Sequence, residues 1–232
     1  MAAEPSDSAQ PIDLDRAVDL SRTGDVWLFR GSTLADRAIR LTTNAPVNHV
    51  GMTVAVDDLP PLLWHAELGQ SLPDRWTGTR HRGAQLHDLH DAVQVWVNRY
   101  GQRAWFRQLD RTVSREEEDA LLRTVARLSG TPFPNTTRLA ARWVTGRARI
   151  AGPGRRKRDA AALETAYCAE VVALSYVAMG LLSDHRRLNW YDPGRFWSGD
   201  DLDLLQGARL GREIAVRVPE GLPDGVPPLK RD

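Results

Sequence analysis

The 232-residue chain has one cysteine, Cys168. A single thiol excludes an internal disulfide and any zinc site built from several thiolates. Excess charge of either sign is also missing: 31 Lys and Arg stand against 30 Asp and Glu, a net charge of +1. Bulk electrostatics therefore selects no partner, and no nucleic acid is expected. No apolar run is long enough to span a bilayer. The opening residues, Met1 to Asp15, have neither a basic start nor an apolar stretch, so no secretory signal is read there and the expected location is cytoplasmic. No internal repeat is found. What remains is a chain with 42% hydrophobic residues, enough for one sizeable domain.

The pattern along the chain predicts residues 1–20 as a flexible N-terminal segment, 21–220 as one catalytic domain, and 221–232 as a tail. Asp25 to Arg30 reads as a strand, and Thr33 to Leu41 as a short helix. Asn48 to Val56 is a strand with two unlike faces. Val50, Met52, Val54 and Val56 form an apolar face; His49, Gly51, Thr53 and Ala55 form a small or polar one. Leu62 to Glu67 is a second strand, expected to pair with it as a hairpin, with Leu63, His65 and Glu67 on one face. Gln85 to Val93 reads as a short helix and Ala104 to Leu109 as a strand. Ser114 and Glu117 form a capping box that opens a helix ending at Gly130. Residues 131–160 read as a basic loop insertion, and Ala166 to Leu182 as the most apolar helix. Arg212 to Val218 alternates as a final strand.

A lone cysteine is either an inert core residue or a reactive thiol. With Thr165 as N-cap, Cys168 falls in the first turn of its helix. There the helix dipole and free N–H groups stabilise a thiolate and can receive an oxyanion. His49 is the candidate base. Its imidazole needs a partner to hold one tautomer, and His65 on the facing strand can do that, with Glu67 as the alternative.

Six segments carry a resemblance: Gly24–Gly31, Ala38–Thr43, Asn48–Met52, Trp64–Ala66, Tyr167–Ala173 and Met179–Leu182. Together they resemble the circularly permuted NlpC-type papain-like cysteine hydrolases, above all the YiiX-type amidase family, related to the lecithin:retinol acyltransferase group. The resemblance spans about residues 24–200, and in this group the histidine precedes the cysteine. It implies Cys168 as nucleophile, His49 as base and His65 at the third polar position. YiiX-type relatives carry Glu there and the acyltransferase relatives carry His, so hydrolysis and acyl transfer both stay open. The implied fold is α+β: a small antiparallel sheet packed on the nucleophile-bearing helix. No metal and no organic cofactor is expected.

Tyr167 is read as a pocket residue, an oxyanion donor or a packing aromatic, and Asp25 as a structural turn residue. His87 and His90 could share a metal but lack further ligands at fixed spacing, and are read as a solvated helix face. The arginines of 138–158, among them Arg147, Arg149, Arg155 and Arg156, suit an anionic substrate or a membrane surface, or form a solvated loop. The aromatic run Asn189 to Trp197 walls a cleft or covers a core edge. The leading expectation is a cysteine hydrolase that cleaves an amide, peptide or acyl, through a thioester. The alternatives are a lipid acyltransferase or phospholipase using the same centre, and a non-catalytic module that binds through the arginines.

Overall fold

The computed structural model describes residues 10–31, 46–56, 59–67, 69–129, 155–198 and 202–228, with side chains in the long C-terminal helix described from Tyr167 onward. The predicted helix Thr33–Leu41 and the arginines of 138–154 lie outside them.

The elements run β1 (Ile12–Asp13), α1 (Leu14–Asp19), β2 (Val26–Arg30), β3 (His49–Val54), β4 (Leu62–Glu67) and β5 (Gly83–Asp88). They continue with α2 (Leu89–Gln94), which runs into a π-helical turn (Val95–Arg99), then β6 (Arg103–Arg107), α3 (Arg115–Leu128), α4 (Arg155–Ala178) and β7 (Ile214–Arg217). The strands form one sheet in the order β1-β7-β6-β2-β3-β4-β5. All neighbours are antiparallel except the β1–β7 pair. The fold is α+β, and the sheet has seven strands where a small one was expected.

Strand alternation sends successive side chains to opposite faces. In this sheet both faces are buried. Val26, Leu28, Val50, Met52, Trp64, Ala66, Leu86 and Trp105 lie on one face and form a core with α3 and α4. Trp27, Phe29, Leu63, Ala104 and Phe106 lie on the other, under α1, α2 and the π-turn. The polar face expected for β3 is thus an interior face, and every residue of β3 and β4 is buried. Gly51 lets the two strands close up: a Cβ there would stand 2.7 Å from Leu63 Cδ1 and 3.2 Å from His65 Cβ.

The N-terminal segment is not loose from Ile12 on. Two residues pair with β7, and Leu14 and Ala17 are buried in the second core. The tail is likewise tied, through buried Val226 and the Asn98 amide, which donates to the carbonyls of Pro219 (2.8 Å) and Gly221 (2.6 Å). The predicted helix Gln85–Val93 is instead strand β5 followed by α2. The capping box of α3 forms as predicted: the Glu117 backbone N–H donates to Ser114 Oγ, and the Ser114 N–H donates to Glu117 Oε2.

Gly24 takes φ +92°, and its N–H donates to Thr53 O. The turn brings in buried Asp25, whose carboxylate accepts the N–H of Leu109 at 2.7 Å and of Arg22 at 2.8 Å. Burial pushes this carboxyl up to about 6, against those two N–H bonds and the Arg22 charge. Asp25→Ala strands one buried donor, Leu109 N–H, at about 1–3 kcal/mol, and one half-buried donor, Arg22 N–H, at less. The expected loss is about 2 kcal/mol or more in urea unfolding, with Asp25→Asn recovering part of it.

Candidate functional site

Three neighbouring strands place polar side chains on the face covered by the π-turn. β3 supplies His49, β4 supplies His65 and Glu67, and β5 supplies Gln85 and His87. Antiparallel register sets His65 opposite Gln85 and Leu63 opposite His87. All five polar residues are at most 1% exposed. Buried polar groups require partners, and these find them in one another.

His49 Nε2 lies 2.9 Å from His65 Nδ1, and His65 Nε2 lies 2.9 Å from His87 Nδ1. His87 Nε2 lies 3.2 Å from Gln85 Oε1. The Gln85 amide is oriented by its own NH₂, which donates to the Glu67 carbonyl at 3.4 Å. A carbonyl oxygen only accepts, so His87 must carry its proton on Nε2. Its Nδ1 is then an acceptor, which fixes His65 as the Nε2–H tautomer, and the same logic fixes His49. The chain of donors therefore ends in a bare lone pair on His49 Nδ1. That atom is buried and has no hydrogen-bond partner among the described residues. The His49 ring stacks on Trp96, with centroids 3.8 Å apart and planes 17° apart.

Burial holds the three imidazoles neutral. It pushes His49 down to about 3 and His87 down to about 4. His65 is pushed well below its ordinary value by burial and by the two flanking imidazoles. Glu67 is raised by burial, against donors from Tyr100 OH (2.9 Å) and Ser71 Oγ (3.2 Å), both on Oε1. Among the described residues its Oε2 is buried without a hydrogen-bond partner, 3.8 Å from His87 Nδ1. His65, Glu67 and His87 each offer a ligand atom, and these atoms lie within 4.8 Å of one another.

Of the residues singled out in the sequence, the structure joins His49 to His65. Glu67 does not touch His49; it sits beyond His65, beside His87. Cys168 packs in the other core, with Val50, Met52 and Trp64. The first-turn position expected for it is corrected: α4 begins at Arg155, so Cys168 stands more than three turns into a 24-residue helix. Its backbone N–H is therefore not one of the free donors of a helix start. It is also on the wrong face. Ser175, two turns on, accepts from Trp64 Nε1 at 3.1 Å, and Cys168 belongs to the core that contains Val50, Met52 and Trp64. His49 stacks in the opposite core, so the expected packing of Cys168 against the histidine face is not realised.

Tyr167 is half-buried against the Cys168 core. The side chains of Arg155 and Arg156, like Arg147 and Arg149, lie outside the described residues. The solvated helix face read at His87 and His90 is half wrong. His87 is on a strand and buried, while His90 begins the next helix and meets Asp15 at 3.2 Å near the surface. β5 passes directly into α2, so a period of two becomes a period of 3.6 within one short segment and the sequence there mimics a single helix. The usable signal was Gln85 and His87 alternating with Ala84 and Leu86. Trp96, Tyr100 and Ser71 left no such signal. The aromatic run near residue 190 covers the first core, and the guanidinium groups of Arg186 and Arg195 lie 4.2 and 4.0 Å from the centre of the Trp190 ring.

No family model matches the chain, and no curated protein matches it by sequence. Among solved structures it is similar to the crystal structure of metalloprotein yiiX from Escherichia coli O157:H7, at 20% identity and a TM-score of 0.41. The match covers 67% of this chain and 64% of that one, so the chain spans less than two thirds of that protein's length. Likeness at this depth assigns neither a reacting residue nor a ligand.

The neutral imidazoles make stability acid-sensitive. Each has a folded value below its unfolded one, so its stabilising contribution is complete above about pH 6.5 and falls as the unfolded chain takes up protons first. The loss approaches about 1.4 kcal/mol per pH unit for each histidine. Glu67 and Asp25, both raised, act in the opposite sense, and three imidazoles outweigh two carboxyls. Urea midpoints are expected to fall steadily from pH 6.5 to 5. A flat profile there would show that the imidazoles are not held neutral.

Proposed function

We propose that the chain is a cysteine-dependent hydrolase of amide bonds, with Cys168 as nucleophile, His49 as base and His65 as the residue that positions His49. The observation that carries this reading is the unpartnered lone pair on His49 Nδ1. A hydrogen-bond chain three imidazoles long leaves one lone pair in one tautomer, the form in which an imidazole accepts a proton. The paired segments His49-Val50-Gly51-Met52 and Tyr167-Cys168-Ala169-Glu170 support the assignment of the thiol.

The chemistry follows from that atom. His49 Nδ1 takes the thiol proton, and the thiolate adds to the carbonyl carbon. Collapse expels the amine, which leaves with the proton from His49, and a thioester stays on Cys168. Water, deprotonated by His49, then releases the acid and the thiol. In a transferase an alcohol or amine acceptor takes the place of water; that is the lipid acyltransferase reading. Either way Sγ must meet Nδ1. In the described arrangement the two lie on opposite faces of the sheet, so the reaction requires a rearrangement that brings His49 and Cys168 to one face.

A second reading has its own observation. Cys168 is mid-helix and fully buried in an apolar core, the ordinary setting of a structural thiol. On that reading the chain is a non-catalytic binding module.

Alkylation of the folded chain separates the two. A catalytic Cys168 reacts with a chloroacetamide probe faster than it is exposed by global unfolding, and His49→Ala slows that reaction by about 100-fold. A thiol that reacts only at the unfolding rate, equally in both proteins, contradicts the hydrolase reading. Incubation with acyl-amide and acyl-ester panels then reports the acyl group as a thioester that is absent from Cys168→Ala.

A further inference from the structure

We propose that His65, Glu67 and His87 form a binding site for one divalent first-row transition metal ion, zinc being the species the donor set suits best. The proposal rests on convergence and on an orphan. His65 Nε2 and His87 Nδ1 are 2.9 Å apart, and Glu67 Oε2 is 3.8 Å from His87 Nδ1. A tetrahedral ion with bonds of about 2.0–2.1 Å would hold such donors about 3.3 Å apart. The two observed separations bracket that value and the third pair lies within 4.8 Å, so closing the site asks for shifts of up to about 1.5 Å. Among the described residues Glu67 Oε2 has no hydrogen-bond partner: it is fully buried and faces His87.

The surrounding groups are those a ligand set needs. A metal-bound imidazole is commonly held by a hydrogen bond at its other nitrogen. His87 has Gln85 Oε1 there at 3.2 Å, and His65 has His49 Nε2 at 2.9 Å. Glu67 has its other oxygen held by Tyr100 and Ser71. Two imidazoles and one carboxylate favour zinc, cobalt or nickel over calcium and magnesium, which prefer oxygen alone.

Binding would also reverse the hydrogen-bond chain. With its Nε2 on the ion, His65 must carry its proton on Nδ1 and donate to His49 Nε2. His49 then holds its own proton on Nδ1, the atom the hydrolase reading uses as a base. On that reading, and only for this consequence, the metal-loaded form is the inactive one.

The test uses the full chain stripped with a chelator and dialysed, then titrated with Co²⁺ and with Zn²⁺. The expected result is one equivalent of Co²⁺ with visible absorption of a four-coordinate nitrogen–oxygen site, displaced by Zn²⁺, and a higher Tm with either ion. Cys168→Ala should bind identically, because no thiolate is a ligand. His90→Ala, at the surface, should also bind identically. Glu67→Gln keeps the side-chain shape and should lose at least 10-fold in affinity, and His87→Asn should lose stoichiometric binding. Should His87→Asn not fold, Glu67→Gln and the parent chain decide. No stoichiometric uptake by the parent, or uptake unchanged in folded Glu67→Gln, overturns the site. Binding that disappears in Cys168→Ala overturns the ligand assignment. Since hydrolase activity enters none of these readings, a failure of the site and a failure of the hydrolase reading are told apart.

Discussion

The hydrogen bond between His87 Nε2 and the Gln85 carbonyl oxygen sets the direction of everything beyond it. Taken alone, three imidazoles in a row could carry their protons at either end. An oxygen that cannot donate removes the choice. The glutamine is itself held, through its NH₂, by the backbone of β4. Polarity therefore passes from a backbone carbonyl, through one amide and three rings, to a single nitrogen on β3. No charge needs to be buried to achieve this, which suits an interior where ionising even one group is costly.

The site depends on the sheet having two interior faces. A half-exposed sheet would let water into the chain and offer every ring an alternative partner. Here Trp96 lies flat on His49, and Tyr100 closes the far side over Glu67. Gly51 allows β3 and β4 to approach closely enough for rings on adjacent strands to meet. The same two-sidedness separates the histidines from Cys168. One face holds the thiol in an apolar core with Trp64, and the other holds the imidazoles. Catalysis by this pair therefore depends on a rearrangement that brings both groups to one face, while a metal site at His65, Glu67 and His87 lies within a single face.

The sequence made the local parts legible. Strands β3, β4 and β7, the capping box of α3, and the shared face of His65 and Glu67 all follow from period-two alternation or from a fixed four-residue pattern. What was not legible depends on contacts distant in sequence. Nothing local announces that β5 lies beside β4, so His87 could not be connected to His65 across 22 residues. Alternation on β3 reported a polar face correctly, but could not say that α1, α2 and the π-turn would bury it. The start of α4 was misplaced at Ala166 because the Arg-rich stretch from Arg155 reads as loop by composition, while its backbone is helical. That shift moved Cys168 from an expected helix end to a helix interior.

One glutamine fixes the tautomers of three histidines. Long-range ¹⁵N–¹H spectra of the metal-free chain at pH 7 read it directly, since a protonated and an unprotonated ring nitrogen differ widely in shift. The account predicts His49, His65 and His87 all neutral with the proton on Nε2, and a mixture of tautomers once Gln85 is replaced by Leu. A proton on His49 Nδ1 in the parent chain, or tautomers unchanged in folded Gln85→Leu, would contradict it.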